Sequence, residues 1–359
     1  MILVNNPGDW GNIYAPLKHA EWHGCTPTDL IFPFFLFIVG LSIVFSLGTK
    51  KAKGLPGKDV ITAIIKRGAI LFLLGIILAL FPDVFVDPIT TLNTLRIPGV
   101  LQRIGIVFIV CGILFYKTDV RTQSVVFVLI LIAYWVLLTL VPVPGGMAPN
   151  LEKETSLAAW LDRTLISEPH LWKFSRTWDP EGVLSTLPAV ASGISGMLTG
   201  IWLRRAGTDS NRKILWMLFA GVFSLSAGLL WGLSFPLNKA LWTSSYVLFT
   251  SGLAIIFFAL LYWIIDLKGF KWFSPPFVFY GLNAITVYFM STVIAKLFNF
   301  IKVDNALGES VSLKTWIFQS YLAPNFSPLN ASLAWALCFV LFWLIILWWM
   351  YKRKIIIKV

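Results

Sequence analysis

The chain has 359 residues, of which 57% are hydrophobic and only 13% are charged, and its net charge is +12. Because soluble domains carry roughly 25% charged residues, this composition excludes a soluble domain with a single anchor and predicts an all-α polytopic membrane protein. In such a protein the positive charge indicates basic cytoplasmic loops, so we expect no nucleic-acid partner.

Residues 1–6 form a short apolar stub, and nine longer apolar runs follow it. A helix needs about 20 apolar residues to span a bilayer. We interpret the stub as the end of a truncated first helix, because the next stretch is predicted outside. This gives about ten transmembrane helices in one domain, residues 1–359. The full spans are predicted at 30–48, 66–81, 98–116, 122–141, 184–203, 212–233, 243–266, 275–297 and 332–350.

Basic residues decide the predicted orientation. They are dense in short loops such as 50–67 and sparse in the longer loops that alternate with them. The dense loops should be cytoplasmic, which puts the polar stretch 12–29 on the outer face. Two long outer loops, 142–183 and 298–331, should carry short amphipathic helices, because apolar residues recur at helical spacing from 157 to 165.

The polar stretch before the first full span contains His19 and His23 and ends at Asp29. An imidazole here could take a proton from an incoming amine or hydroxyl, and the alternative is a solvated loop histidine. Glu21 and Cys25 could join the histidines around zinc, but the stretch is predicted to be a loop without motif spacing, so no metal is expected. Asp29 either caps the helix or orients a histidine or a substrate amine.

Arg103 falls inside a predicted span, beside Gln102. An intramembrane arginine is costly and normally faces a partner or a wet cavity. Arg96, seven residues earlier, is predicted on roughly the same helix face, so the two arginines could line an anion path. The alternative is a structural ion pair of Arg103 with a carboxylate such as Asp29.

Two further polar features adjoin or interrupt apolar runs. Asp179 and Glu181 lie in a Pro-Gly turn just before a span, where they could receive the hydroxyls of a sugar or simply cap the helix. Asn283 lies within a span and must form a hydrogen bond, most simply to another helix. The chain has no P-loop, Ser-His-Asp set or Gly-x-Ser-x-Gly elbow.

Three stretches resemble the heparan-α-glucosaminide N-acetyltransferase family. They are KHAEWHG at 18–24, RIPGVLQRIG at 96–105 and NKALWTSSYV at 238–247, and the resemblance covers essentially the whole chain. It implies a transmembrane N-acetyltransferase that takes its acetyl group from cytoplasmic acetyl-CoA, a co-substrate, and delivers it to an amino sugar or glycan on the other face. The short chain is similar to compact bacterial members, which implies a bacterial inner membrane with the acceptor in the periplasm.

The resemblance also suggests roles for single residues. His19 corresponds to the active-site histidine, acting as a general base or carrying the acetyl group, and Asn5 could donate a hydrogen bond to the acyl carbonyl. Asp29 is the third predicted catalytic residue. The predicted CoA-binding residues are Arg103, Gln102, Arg96, Lys66 and Arg67, and those for the acceptor are Asp179, Glu181, Trp22 and Asn283.

Two further expectations concern the competing function and the partners. A multi-pass sugar transporter without acyl transfer is the alternative, with Arg103 and Asn283 lining the path. The chain shows no clear internal repeat of the kind common in transporters. Besides acetyl-CoA, the acceptor and the lipid bilayer, we consider a homodimer as the assembly.

Overall fold

The computed structural model describes residues 1–54, 56–305 and 308–357. Within these ranges eight helices are long and apolar enough to cross a membrane, and a bent pair could form a ninth crossing. The prediction of an all-α polytopic membrane protein is therefore confirmed. The α-helices are α1 Ile2–Asn5, α2 Ile31–Ala52, α3 Gly57–Leu80, α4 Pro88–Asn93, α5 Val100–Lys117, α6 Val120–Thr139, α7 Leu157–Leu165, α8 Val183–Leu203, α9 Ser210–Gly232, α10 Ser244–Tyr262, α11 Pro275–Leu282, α12 Ala284–Phe300, α13 Leu313–Ile317 and α14 Pro328–Lys352.

Short irregular helices and one hairpin complete the described chain. Strands β1 and β2 pair antiparallel, with Lys302 opposite Ser312. The strands are β1 Lys302–Asp304 and β2 Ser310–Ser312; the 3-10 segments are Ala15–Leu17, Pro27–Leu30, Asp83–Phe85 and Glu168–His170; the π-helical segments are Trp263–Leu267 and Phe318–Leu322.

Three predicted elements differ from the structure. Helix α3 begins nine residues before the predicted start at 66, because a span can continue into a basic interface where lysine side chains reach the headgroups. The predicted span 275–297 is broken at Asn283, where α11 and α12 meet at 81°. The described part of the outer loop 298–331 contains the hairpin and the short helix α13, followed by a π-helical segment, whereas α7 in the loop 142–183 is at the predicted position.

Four helices, α2, α5, α8 and α10, form the centre of the bundle and pack against one another. The middle of helix α8 is buried, with every residue from Pro188 to Met197 in the interior. Hydrogen bonds connect the first turns of these helices: the Tyr246 hydroxyl donates to the backbone carbonyl of Asp29, and Arg103 donates to Ser185. All four helices therefore begin at the same end of the bundle.

Glycines allow α2 and α8 to approach backbone to backbone. A Cβ at Gly40 would stand 1.8 Å from the carbonyl oxygen of Gly193, and one at Gly196 would stand 1.9 Å from that of Phe37. Small residues at helix crossings are typical of membrane bundles, where close backbone contact supplies the packing energy. This contact fixes the start of α2 relative to the start of α8.

We predict that Gly40→Ala destabilises the fold, because the added methyl group overlaps the Gly193 carbonyl and must separate two central helices. Overpacking of this kind costs about 1–3 kcal/mol, visible as a lower thermal unfolding temperature in detergent. Gly281→Ala is the matched control, since nothing lies within 4 Å of its Cβ position. An unchanged unfolding temperature for Gly40→Ala would contradict the packing argument.

Candidate active site

His19 and Asp29 meet at the end of the bundle where the four central helices begin. The Nδ1 atom of His19 lies 2.6 Å from Oδ1 of Asp29. An ionised carboxylate only accepts hydrogen bonds, so Nδ1 carries the proton and Nε2 keeps its lone pair. The Asp29 side chain is 1% exposed and that of His19 is 48% exposed, which leaves the imidazole open to a substrate.

The Asp29 carboxylate also caps the start of the helical segment in which it lies. Its Oδ2 atom accepts hydrogen bonds from the backbone N–H groups of Ala20 and Thr26, each at 3.0 Å. Thr26 and Asp29 form a capping box on the 3-10 turn that leads into α2. The two readings of Asp29, helix cap and histidine partner, are therefore both realised, one by each oxygen.

Lys239 is a third member of the cluster that sequence reasoning missed. Its Nζ atom lies 3.0 Å from Nδ1 of His19 and 3.4 Å from Oδ1 of Asp29. Burial lowers the pKa of Lys239, an effect that the charge of Asp29 opposes. The sequence signal for Lys239 is its place in the NKALWTSSYV motif. Apart from that motif, Lys239 is simply one of the basic residues of the outer-face loops.

Arg96 joins the loop before α5 to the loop before α8. Its Nε and Nη2 atoms donate to the two oxygens of Asp179 at 2.8 and 2.6 Å, and Nη2 also donates to Glu181 at 2.6 Å. Burial would lower the pKa of Arg96, but the two carboxylates outweigh it and raise the pKa. The predicted common helix face of Arg96 and Arg103 is wrong, since α5 begins only at Val100.

Arg103 is 1% exposed and does not pair with Asp29, which excludes the ion pair considered above. Its Nη2 atom donates to the Gly182 carbonyl at 3.2 Å and to Ser185 at 2.5 Å. The guanidinium lies 5.1 Å from the centre of the Trp242 ring, a cation–π contact. Its Nε and Nη1 atoms have no hydrogen-bond partner among the described residues.

Aromatic rings form one wall beside the opening loop. Trp22 packs edge-on against Trp178, with 5.1 Å between ring centres, and Trp178 continues to Trp172 at 5.4 Å. The Trp22 indole donates to the carbonyl of Leu151, and Lys153 lies 5.7 Å from its ring centre. Such a partly exposed indole can stack on the apolar face of a sugar.

Several predicted site residues lie outside this cluster. Asn5 is exposed, and among the described residues its side chain forms no hydrogen bond. Lys66 and Arg67 are on α3, where Arg67 lies 4.9 Å from the centre of the Phe108 ring. The amide of Asn283 binds the backbone of Ile355 and Ile357 in the tail, which explains the break in the helix there.

Asp162 on α7 is a buried carboxylate that serves the start of α8. It accepts hydrogen bonds from the backbone N–H of Val183 at 2.8 Å and of Asp179 at 3.3 Å. Burial raises the pKa of Asp162 to about 6. Helix α7, predicted from its apolar spacing alone, thus holds the turn that carries Asp179 and Glu181.

The fold and the cluster define a class: a multi-pass α-helical membrane protein with a histidine–carboxylate–lysine site where parallel helices begin. A family described as heparan-alpha-glucosaminide N-acetyltransferase, catalytic, matches residues 10–161. The heparan-alpha-glucosaminide N-acetyltransferases of Mus musculus and Homo sapiens are each 28% identical over the whole chain. The chain is similar to this family, as the sequence motifs predict. It spans 58% of the length of each of these two relatives.

We predict that the buried Asp162 makes the fold less stable as the pH rises. Aspartate in an unfolded chain has a pKa of about 3.9, whereas the folded value is about 6. Between these values the folded state binds more protons, so stability falls as the pH increases from about 4 to about 6. Asp162→Asn should remove this slope in thermal unfolding, and the exposed Glu168→Gln should keep it. Equal slopes for wild type and Asp162→Asn would contradict the assignment.

Proposed function

We propose that the protein is a membrane acetyltransferase that moves the acetyl group of acetyl-CoA to the amino group of an amino sugar or glycan. The observation that carries the proposal is the contact of His19 with Asp29 at 2.6 Å, beside Lys239. The similarity to heparan-alpha-glucosaminide N-acetyltransferases supports the same reaction class. Both matched relatives are N-acetyltransferases, so we favour the enzyme over a transporter.

The proposed reaction uses His19 as a general base. The acceptor nitrogen attacks the thioester carbonyl carbon while Nε2 of His19 takes a proton from that nitrogen. The new C–N bond forms, the C–S bond breaks, and the imidazolium returns its proton to the sulfur, which leaves as free CoA. Asp29 stabilises the imidazolium through Nδ1, as the aspartate does in other histidine-based acyl transfer. A transient acetyl group on Nε2 is the alternative route.

Lys239 is the proposed electrostatic partner in this reaction. Its Nζ atom lies 3.0 Å from Nδ1 of His19, so its positive charge stands beside the imidazole. The same charge would stabilise the oxyanion that develops on the acetyl carbonyl. The family motif suggests Asn5 as a second donor to that oxygen, but Asn5 lies outside the cluster, so we assign this role to Lys239.

Acetyl-CoA is proposed to enter from the opposite, cytoplasmic end. Lys66 and Arg67 lie about 20 Å along α3 from its end at Leu80, at 1.5 Å per residue. They could hold the phosphates of an extended CoA whose acetyl group reaches His19. This keeps the orientation predicted from the basic loops, with His19 on the outer face, periplasmic in a bacterial inner membrane.

The acceptor is proposed to approach along the aromatic wall. Trp22 offers a stacking surface close to the loop that carries His19. Asp179 and Glu181 would act mainly through Arg96, since both carboxylates are bound to its guanidinium. These carboxylates neutralise the charge of Arg96, so Arg96 is less suited to bind the phosphates of CoA than Lys66 or Arg67.

We predict that the purified full chain converts glucosamine and acetyl-CoA to N-acetylglucosamine and that His19→Ala lowers the rate at least about 100-fold, the usual contribution of a general base. Product is measured by mass spectrometry. His23→Ala is the matched control, because His23 lies in the same loop but contacts Asn238 instead of Asp29. Normal turnover by His19→Ala would contradict the assignment, and glucosamine uptake into vesicles without acetyl-CoA would favour a transporter.

We predict that Lys239→Met lowers kcat by about 10- to 100-fold, because a charge aimed at the developing oxyanion is lost. Lys239→Arg keeps the charge and should retain most of kcat, whereas Lys239→Met should not. Equal losses of kcat in the two variants, each with a lowered unfolding temperature, would show that Lys239 has only a structural role.

A further inference from the structure

A groove between α5 and α8 opens on the side of the bundle. It encloses about 550 Å³, within the range of about 300–1,000 Å³ typical of ligand pockets. Helices α3 and α6 contribute its outer rims through Phe72 and Ile130. Along α5 it runs from Gly99 to Val110, about 16 Å at 1.5 Å per residue.

The walls of the groove are apolar and accessible. Ile106, Val110, Val183 and Leu187 line it and are each between 37% and 41% exposed. These residues lie on membrane-spanning helices, so the groove faces the hydrocarbon of the bilayer. A hydrocarbon chain can therefore enter it sideways from the membrane.

The inner end of the groove is polar, with Arg103 and Gln102 in its wall. Two nitrogen atoms of the buried Arg103, Nε and Nη1, lack a hydrogen-bond partner among the described residues. The nearest carboxylates, Asp179 and Glu181, are bound by Arg96 instead. A buried guanidinium with unpaired N–H groups is costly. The anions that such N–H groups bind are carboxylates and phosphates, and a phosphate is the one that a membrane lipid can bring into an apolar groove.

This polar end adjoins the catalytic cluster. Arg103 lies against Trp242, which is three residues from Lys239 in the same loop. Glu181 lines the groove and interacts electrostatically with both Arg103 and Lys239. A ligand with its phosphate at Arg103 would therefore extend its next group toward His19.

We propose that the acceptor is a lipid-linked amino sugar, joined through a phosphate to a membrane lipid that lies in this groove. The hydrocarbon chain follows Ile106 and Leu187, the phosphate binds Arg103, and the sugar reaches His19. This inference rests on the proposed acetyltransferase function and specifies its acceptor class. It also departs from the prediction that Arg103 and Gln102 bind CoA. Both lie at the His19 end, whereas the phosphates of cytoplasmic CoA would lie toward the other end.

The test compares three acceptors with the purified full chain: glucosamine, an alkyl glycoside of glucosamine, and glucosamine joined through phosphate to the same alkyl chain. We expect the alkyl phosphate acceptor to have the highest kcat/KM. In Arg103→Gln the ratio of kcat/KM for this acceptor to that for glucosamine should fall at least tenfold. Leu187→Trp, which fills the groove at an exposed position, should lower the same ratio. Leu129→Trp, on the lipid-facing side of α6 and 58% exposed, is the matched control.

A binding measurement separates this inference from the proposed function. Radiolabelled alkyl phosphate acceptor should bind His19→Ala as tightly as wild type and bind Arg103→Gln at least tenfold more weakly. If no acceptor is acetylated but this binding pattern holds, the acetyltransferase proposal fails while the lipid site stands. The lipid site is overturned if the three acceptors have equal kcat/KM, or if Arg103→Gln and Leu187→Trp leave the acceptor ratio and the binding unchanged.

Discussion

The buried carboxylate of Asp29 is the constraint on which the rest of the site depends. An ionised group at 1% exposure is tolerated only if it is paired and hydrogen-bonded, and here its partners come from two distant parts of the chain. The opening loop supplies His19 and the N–H groups of Ala20 and Thr26, and the loop before α10 supplies Lys239. Satisfying one carboxylate therefore places His19, the proposed general base, starts α2 and positions the motif around Lys239.

The convergence of four helix starts explains why acidic residues accumulate at this end. Each helix N-terminus carries a partial positive charge and unpaired N–H groups. Asp29 serves the start of α2, and Asp162 serves the start of α8 from a separate helix. Arg96 forms ion pairs with Asp179 and Glu181. The loops before α5 and α8 are therefore held together by ion pairs as well as by backbone packing. The same positive helix ends would favour an oxyanion formed near His19.

Hydropathy predicted the membrane crossings well, because every spanning helix must present a long apolar run to lipid. It could not predict the bend at Asn283, since the apolar pattern continues across a break caused by hydrogen bonds to the distant tail. The prediction that Arg96 lies on a helix face is wrong, because the Pro-Gly pair that follows it favours an extended backbone before α5. Family motifs identified His19 and Asp29, but the pairing of Lys239 with them joins positions 220 residues apart and emerges only from the packed bundle.

The groove beside Arg103 follows from the way α8 is packed. Its glycines draw it against α2 until the backbones touch, while α3 packs on α5 and α6 packs on α8. On the side that faces away from α2, α5 therefore lies between the two outer helices, α3 and α6. These two helices pack on different inner helices, which leaves the groove between them open. Close packing on one face of α8 and an opening on the other are two consequences of the same small residues. A rigid site needs the first, and an acceptor held in the membrane needs the second.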